Sequence, residues 1–425
     1  VRAKIALDTL WITFWMAFVL FGINAVPFHG DESTLIYNTT DYVDQFIDRD
    51  LSVFIYGNPA VDPMDQNLRL LDGRVHKYLA GLFWHVRGFT PDDLNTPWDW
   101  GADWTYNLNA GHLPTPELLI TARAASAVLA ALGVAAIFGI GLTLQGRIAA
   151  YAMSLFYALH PAILLNGRRS MMEGALLLFG LLTVLAALHL LRRRSALWAG
   201  VLGLAAGFAL ASKQSALVPV ALVFIGVGVA LLIERRRLLP DLIRWSAAGV
   251  IAIAVFVVMN PIWWSDPIGV ARAVFAERTR LLSGQVDYFG GYPDLGAKLD
   301  GFVRYSLIGT PQYYEVEVWR DWIGEAIAGY DASIWRGVSF GESTLGLIAL
   351  GIVLIIGMIS LFRHDPNRIL IAIWAVISIA ITIAITPLPW QRYYLPILPA
   401  IAVIFGLGIA AIVNLVIRYR RGSVS

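Results

Sequence analysis

The chain of 425 residues has no cysteine, which excludes disulfides and thiolate metal sites. Charge is scarce as well. Asp, Glu, Lys and Arg make up 15% of the residues, against about 25% in soluble domains. The formal net charge is only +2, so there is no broad basic surface for nucleic acid. No internal repeat and no low-complexity tract interrupts the sequence. Neither of its two long polar stretches reads as a separate domain with a large core of its own.

Apolar residues fill the gap, at 58% of the chain and a mean hydropathy of +0.65. They fall into runs near 10–27, 116–142, 148–165, 171–191, 196–212, 215–233, 245–263, 343–362, 369–386 and 393–417. Each is close to bilayer length, which predicts an all-α membrane protein of about ten spans. The first run follows Arg2 and Lys4 with no small-residue cleavage site after it, and reads as a retained signal-anchor helix. Basic residues mark every second boundary: Arg2 and Lys4, Arg147, Arg192 to Arg194, Arg235 to Arg237, Arg363 with Arg368, and Arg418 to Arg421. With ten spans these share one side, expected to be cytoplasmic together with both termini. The other side then carries two long loops, about 28–115 and 264–342, rich in Trp, Tyr, Gly, Pro and Asp. Within the first, Asp65 to Trp84 mixes apolar and charged residues at helical spacing and is expected to lie on the membrane surface.

The outer side also gathers ionisable residues at membrane level. Pro27-Phe28-His29-Gly30-Asp31-Glu32 leaves the first run with two adjacent carboxylates. The later outer turns contribute Arg168, Arg169 and Glu173, then Lys213, then Arg392 and Tyr393. Cations there run against the positive-inside preference. A carboxylate can deprotonate a hydroxyl, and Arg or Lys can hold a departing phosphate. That combination suits attack of a hydroxyl on a sugar carried by a lipid phosphate, with the lipid chain in apolar grooves between helices.

Bland alternatives stand beside each residue. Asp31 and Glu32 also read as first-turn acids of a following helix. Glu173 also reads as a salt-bridge partner of Arg168 or Arg169, or as an acceptor or metal contact. Lys213 also reads as a snorkelling side chain. Arg168 and Arg169 cannot both face inward from one helix, so one is expected at the surface. Arg69, Arg74 and Lys77 either line the site or meet headgroups, and Arg123 reads as a buried structural ion. His29, His76, His85 and His112 match no zinc spacing and are expected to be satisfied or solvated.

The ordered set of Asp31-Glu32, Arg69-Leu70-Leu71-Asp72-Gly73, Arg123 with Ser126, His160-Pro161, Arg169 to Glu173, Lys213 and Arg392-Tyr393 resembles the GT-C glycosyltransferases. It is similar to the protein O-mannosyltransferase and aminoarabinose transferase superfamily. The resemblance implies a GT-C bundle with short interfacial helices in its outer loops. It also implies an inverting transfer from a polyprenyl-phosphate sugar to a lipid, glycan or protein hydroxyl, in the plasma membrane. Asp31 would be the base, with Glu32 and Glu173 as further catalytic acids. Lys213, Arg392, Arg168, Arg169 and Arg74 would bind the donor phosphate, and His29 and Tyr393 the sugar or acceptor. The resemblance fixes no cofactor, and a divalent metal is left open. A transporter or flippase of lipid-linked sugars is the alternative.

Overall fold

The computed structural model describes residues 2–235, 237–362 and 365–422; the predicted basic positions Arg236 and Arg363 lie outside them. Every regular element among the described residues is helical. Eight helices are long and apolar enough to cross a membrane. In the order used below, α1 is Arg2–Phe21, α5 Pro116–Leu144, α8 Glu173–Arg193, α10 Leu217–Glu234, α11 Leu238–Met259, α14 Thr344–Leu361, α15 Pro366–Ile385 and α16 Leu398–Gly422. The run at 148–165 is a broken pair, α6 Arg147–Leu159 and α7 Pro161–Arg168, bent by 59°. Pro161 causes the break, since it has no N–H to give the preceding turn. The run at 196–212 is a shorter apolar helix, α9 Ala196–Ser212. Each predicted run thus corresponds to helix, and the all-α expectation holds among the described residues.

The helices pack through small residues, as expected where lipid removes the hydrophobic driving force between them. Gly203 and Gly207 on α9 lie against the backbone of Ala248 and Ala252 on α11. On α14 and α16 the fit is reciprocal. Gly357 meets the Ile404 carbonyl and Gly408 meets the Val353 carbonyl.

The charged run boundaries converge at one end. Asp8 accepts from Arg147 at 2.9 Å and from the Tyr151 hydroxyl at 2.7 Å. Arg368 reaches Gln145 at 2.7 Å, Arg192 donates to the Thr143 carbonyl, and Arg194 pairs with Glu234 and Asp241.

The opposite end carries the two long connections. The first holds α2 (Gly30–Tyr37), α3 (Pro63–Leu71) and α4 (Arg74–Val86); the second holds α12 (Pro267–Phe289) and α13 (Arg320–Asp331). The predicted surface segment is split at Asp72-Gly73 into α3 and α4. One face of α4 is buried through Ala80 and Trp84, which pack with Leu118, Ala122 and Ala125 of α5. So α4 is docked on protein, not laid on lipid by that face. Gly73 sits where a Cβ would strike the Ser212 carbonyl, so the Asp72 turn is pressed against the start of the Lys213 turn.

The α14–α16 crossing tests this packing. Gly408→Leu forces a side chain into the Val353 backbone, and overpacking of this kind costs about 1–3 kcal/mol. The expected result is a lower thermal unfolding midpoint in detergent, with Gly351→Leu, which meets open space, as the neutral control.

Candidate active site

The site begins where α1 ends. The predicted run reaches residue 27, but the helix stops at Phe21. A helix end leaves carbonyls without partners. Three buried arginines supply the donors. Arg168 donates to Val19 O and Phe18 O, both at 2.8 Å. Arg123 donates to Ile23 O at 3.1 Å and Val26 O at 2.8 Å. Arg169 donates to Pro27 O at 3.3 Å. Positive charge at a helix C-terminus also suits the helix dipole.

The expectation that one of Arg168 and Arg169 lies at the surface is therefore corrected, since both are buried. α7 ends at Arg168, while Arg169 is already extended, with φ −67° and ψ 149°. The two side chains leave the chain in different directions. Arg168 also donates to the Trp335 carbonyl and stands apart from the acids, which removes it from a phosphate role in this arrangement. Arg169 bridges to Tyr313 O at 2.8 Å and so ties the second outer connection to the turn after α1.

His29 is the N-cap of α2, and Asp31 and Glu32 occupy its first turn, as one sequence alternative had it. The neighbouring carboxylates have opposite fates. Glu32 is fully buried and saturated. Arg123 grips it with two bonds of 2.7 Å, Ser170 N donates at 2.8 Å and His29 N at 3.1 Å. No face of it is left for a substrate, so Glu32 and Arg123 form a buried structural pair. Burial pushes the Glu32 carboxyl up, but Arg123 and its other donors outweigh that and hold it low.

Asp31 keeps 29% of its side chain exposed. It pairs with Arg392 through one guanidinium nitrogen, and the other reaches Glu315 at 3.0 Å. The second oxygen of Glu315 lies 2.7 Å from His29 Nε2. His29 Nδ1 accepts from Asp31 N at 3.1 Å, so Nε2 carries the proton and donates to Glu315. Both ring nitrogens are thus used within the protein and the ring is 1% exposed, which leaves it no contact to offer a sugar. Trp100 and Trp319 pack against it, with ring centroids 6.0 and 5.7 Å away. Burial raises the Asp31 pKa, yet the Arg392 guanidinium beside it outweighs that and brings it below the ordinary 3.8.

Glu173, at the head of α8, pairs with Lys213 and not with either arginine of its own turn. Its second oxygen is buried without a hydrogen-bond partner. Lys213 remains 17% exposed. Tyr393 donates to Gln285 of α12 at 3.3 Å and stacks on Trp390. Arg74 belongs elsewhere. It is buried on Asp41, which Arg69 also binds at 2.8 Å and Lys77 approaches at 3.6 Å. Arg69 also approaches Asp44 at 3.5 Å and Asp65 at 3.8 Å, so these cations face acids of the first connection and none is paired with Asp31. Asp72, between the two groups, accepts from Asn38 at 2.8 Å.

The structure therefore brings together Asp31, Arg392, Glu173, Lys213 and Tyr393, and adds Glu315. Sequence reasoning missed Glu315 because Tyr313-Tyr314-Glu315-Val316-Glu317 carries no motif and offers two equivalent acids. Among the described residues no cluster of three or more His, Asp or Glu is arranged as metal ligands. The position between Asp31 and Glu315 is filled by a guanidinium, so these residues do not fit a metal as they stand.

Comparisons with known proteins agree with the fold. The family model described as dolichyl-phosphate-mannose-protein mannosyltransferase matches residues 117–264. No curated protein matches the chain in sequence. Among solved structures, ArnT from Cupriavidus metallidurans bound to undecaprenyl phosphate matches with a TM-score of 0.56 and 13% identity, over 95% of this chain and 60% of that one. The Archaeoglobus fulgidus oligosaccharyltransferase in complex with Zn and sulfate matches with a TM-score of 0.52 and 13% identity, over 96% of this chain and 50% of that one. The chain thus has the GT-C fold, and spans about 60% of the length of ArnT.

The Glu32–Arg123 pair generates a stability prediction. Arg123→Met leaves a buried carboxylate without its partner, which costs about 3–5 kcal/mol. A clear drop in the detergent melting midpoint is expected for this variant and a much smaller one for Asp31→Asn, whose carboxyl is partly solvated.

Proposed function

We propose that this GT-C chain is a membrane glycosyltransferase that moves a sugar from a polyprenyl-phosphate donor to an acceptor hydroxyl, with inversion. The observation that carries the reading is the pairing of a partly exposed carboxylate, Asp31, with cations at the head of an apolar groove. Arg392 and Lys213 provide the cations. The groove is lined by Leu177 and Gly180 of α8, Val220 of α10, Trp374 of α15, and Pro396 and Pro399 beyond Arg392. It therefore runs along α8 below Glu173, where a polyprenyl chain would lie while its phosphate met the cations. The solved relative with undecaprenyl phosphate bound is consistent with this carrier class.

In the reaction the acceptor oxygen attacks the anomeric carbon on the face opposite the phosphate. Asp31 takes the hydroxyl proton as the new C–O bond forms. The bond from the anomeric carbon to the phosphate oxygen breaks, and the electron pair leaves with the lipid phosphate. Arg392 and Lys213 stabilise that developing charge. Backside attack inverts the anomeric centre. The transferred group is a hexose or pentose, and the acceptor a lipid, glycan or protein. On this reading the site faces the extracytoplasmic side of the plasma membrane, opposite the basic end, and the positive-inside preference makes both termini cytoplasmic. The charged groups of the site lie at helix ends, whereas a translocation path for a lipid-linked sugar would place them near midplane.

Removing a general base typically costs about 10²–10⁴ in rate. Asp31→Asn is expected to lose that much transfer from a polyprenyl-phosphate sugar in detergent, and full activity would contradict the assignment. Translocation without transfer in proteoliposomes would favour the transporter.

Lys213→Ala is expected to raise the donor KM by about tenfold or more, as loss of a charged phosphate contact should. An unchanged KM would remove Lys213 from the phosphate site.

A further inference from the structure

Arg392 holds two carboxylates that differ in every respect that governs exchange. Glu315 is 6% exposed, and its second oxygen is bonded to the buried, tryptophan-packed His29. Its segment is tied down by the Arg169 bridge from Pro27 O to Tyr313 O. Asp31 is 29% exposed, and Arg392 itself 19%. One partner of the guanidinium is therefore fixed inside the protein, and the other faces the space a ligand would enter.

Resting on the donor-phosphate reading above, we infer that Glu315 is a positioning residue that anchors Arg392 while its other nitrogen exchanges Asp31 for the donor phosphate, so that donor binding frees the base. A guanidinium presents several donors in a rigid fork, so one edge can stay on Glu315 while the other changes partner. In the empty site Asp31 is occupied by Arg392 and held acidic, which makes it a poor proton acceptor. A phosphate arriving at the exposed edge of Arg392 takes over that bond. Asp31 then loses its strongest partner and gains a negative neighbour, and both changes raise its basicity at the moment an acceptor can be used. Without Glu315, Arg392 would have Asp31 as its single hydrogen-bonded carboxylate and would be harder to recruit.

The charged groups around Asp31 come from several elements. His29 lies on its own turn, Arg392 precedes α16, Glu315 comes from the second outer connection and Asp72 from the turn before α4. Glu173 and Arg169 face Arg392 and Glu315 in turn. Because Asp72, Glu173 and Arg169 are not the groups exchanged, their fields are common to the empty and loaded states.

The test is a pair of pH profiles for transfer from a polyprenyl-phosphate sugar, since kcat/KM reports the free enzyme and kcat the complex. In the wild type the acid limb of kcat is expected about one pH unit or more above that of kcat/KM. Glu315→Gln is expected to raise the donor KM about tenfold, the scale of a charged hydrogen bond, and to bring the two limbs together. Glu315→Asp should recover part of both. Coincident limbs in the wild type, or a Glu315→Gln enzyme with unchanged donor KM and profile, would overturn the exchange. If Glu315→Gln fails to fold by its detergent melting midpoint, Arg392→Lys carries the same expectations, since an ammonium lacks the fork that spans both acids. An active Asp31→Asn enzyme would instead sink the base assignment itself, so the two failures are distinct.

Discussion

The carbonyls left bare where α1 stops impose the constraint on which the site depends. Their donors come from Arg123, Arg168 and Arg169, three guanidiniums drawn from α5 and from the end of α7. Arg123 gains a buried counter-charge from Glu32, which also accepts from the backbone N–H groups of Ser170 and His29. Because Glu32 sits in the first turn of α2, satisfying that pair also fixes the orientation of the turn. Asp31, one residue earlier, is thereby aimed away from the buried pair and toward Arg392. The unequal fates of the two adjacent acids follow from this single arrangement. One is consumed in holding the fold, and the other is left at the edge of the cavity.

The same arrangement explains how two distant outer connections come to share a site. Arg169 links the turn after α1 to the segment that carries Glu315, and His29 links that segment back to α2. Trp98, Trp104 and Trp319 pack as a buried cluster over this junction, with the exposed Trp100 stacked on Trp319, so the apolar part of the outer loops covers the polar part. These aromatic residues are largely engaged with one another and with His29.

The helical bundle was legible from hydropathy because a lipid solvent forces long apolar runs and tolerates few alternatives. The end of α1 was not. Residues 22–27 belong to an apolar run that masks the stop signals Gly22, Asn24 and Pro27, and the arginines that take up the freed carbonyls come from elsewhere in the chain. Asp31, Lys213 and Arg392 were readable because charge at an outer helix end conflicts with its surroundings. Arg168, Arg169 and Arg74 gave the same signal for a different reason, since each neutralises or caps buried backbone and acids. Sequence position alone cannot separate a cation aimed at a ligand from one aimed at a carbonyl. Glu315 was invisible because its role comes from contacts with His29 and Arg392, 286 and 77 residues away in the chain.

The central claim is a single displacement, with one carboxylate on the acceptor side and the lipid phosphate on the other. The anomeric configuration of the product measures it directly. NMR of the sugar transferred from a polyprenyl-phosphate donor of defined anomer should show the opposite configuration at the anomeric carbon. Retention would require a double displacement through a covalent intermediate, and would contradict Asp31 acting as the base opposite a phosphate site.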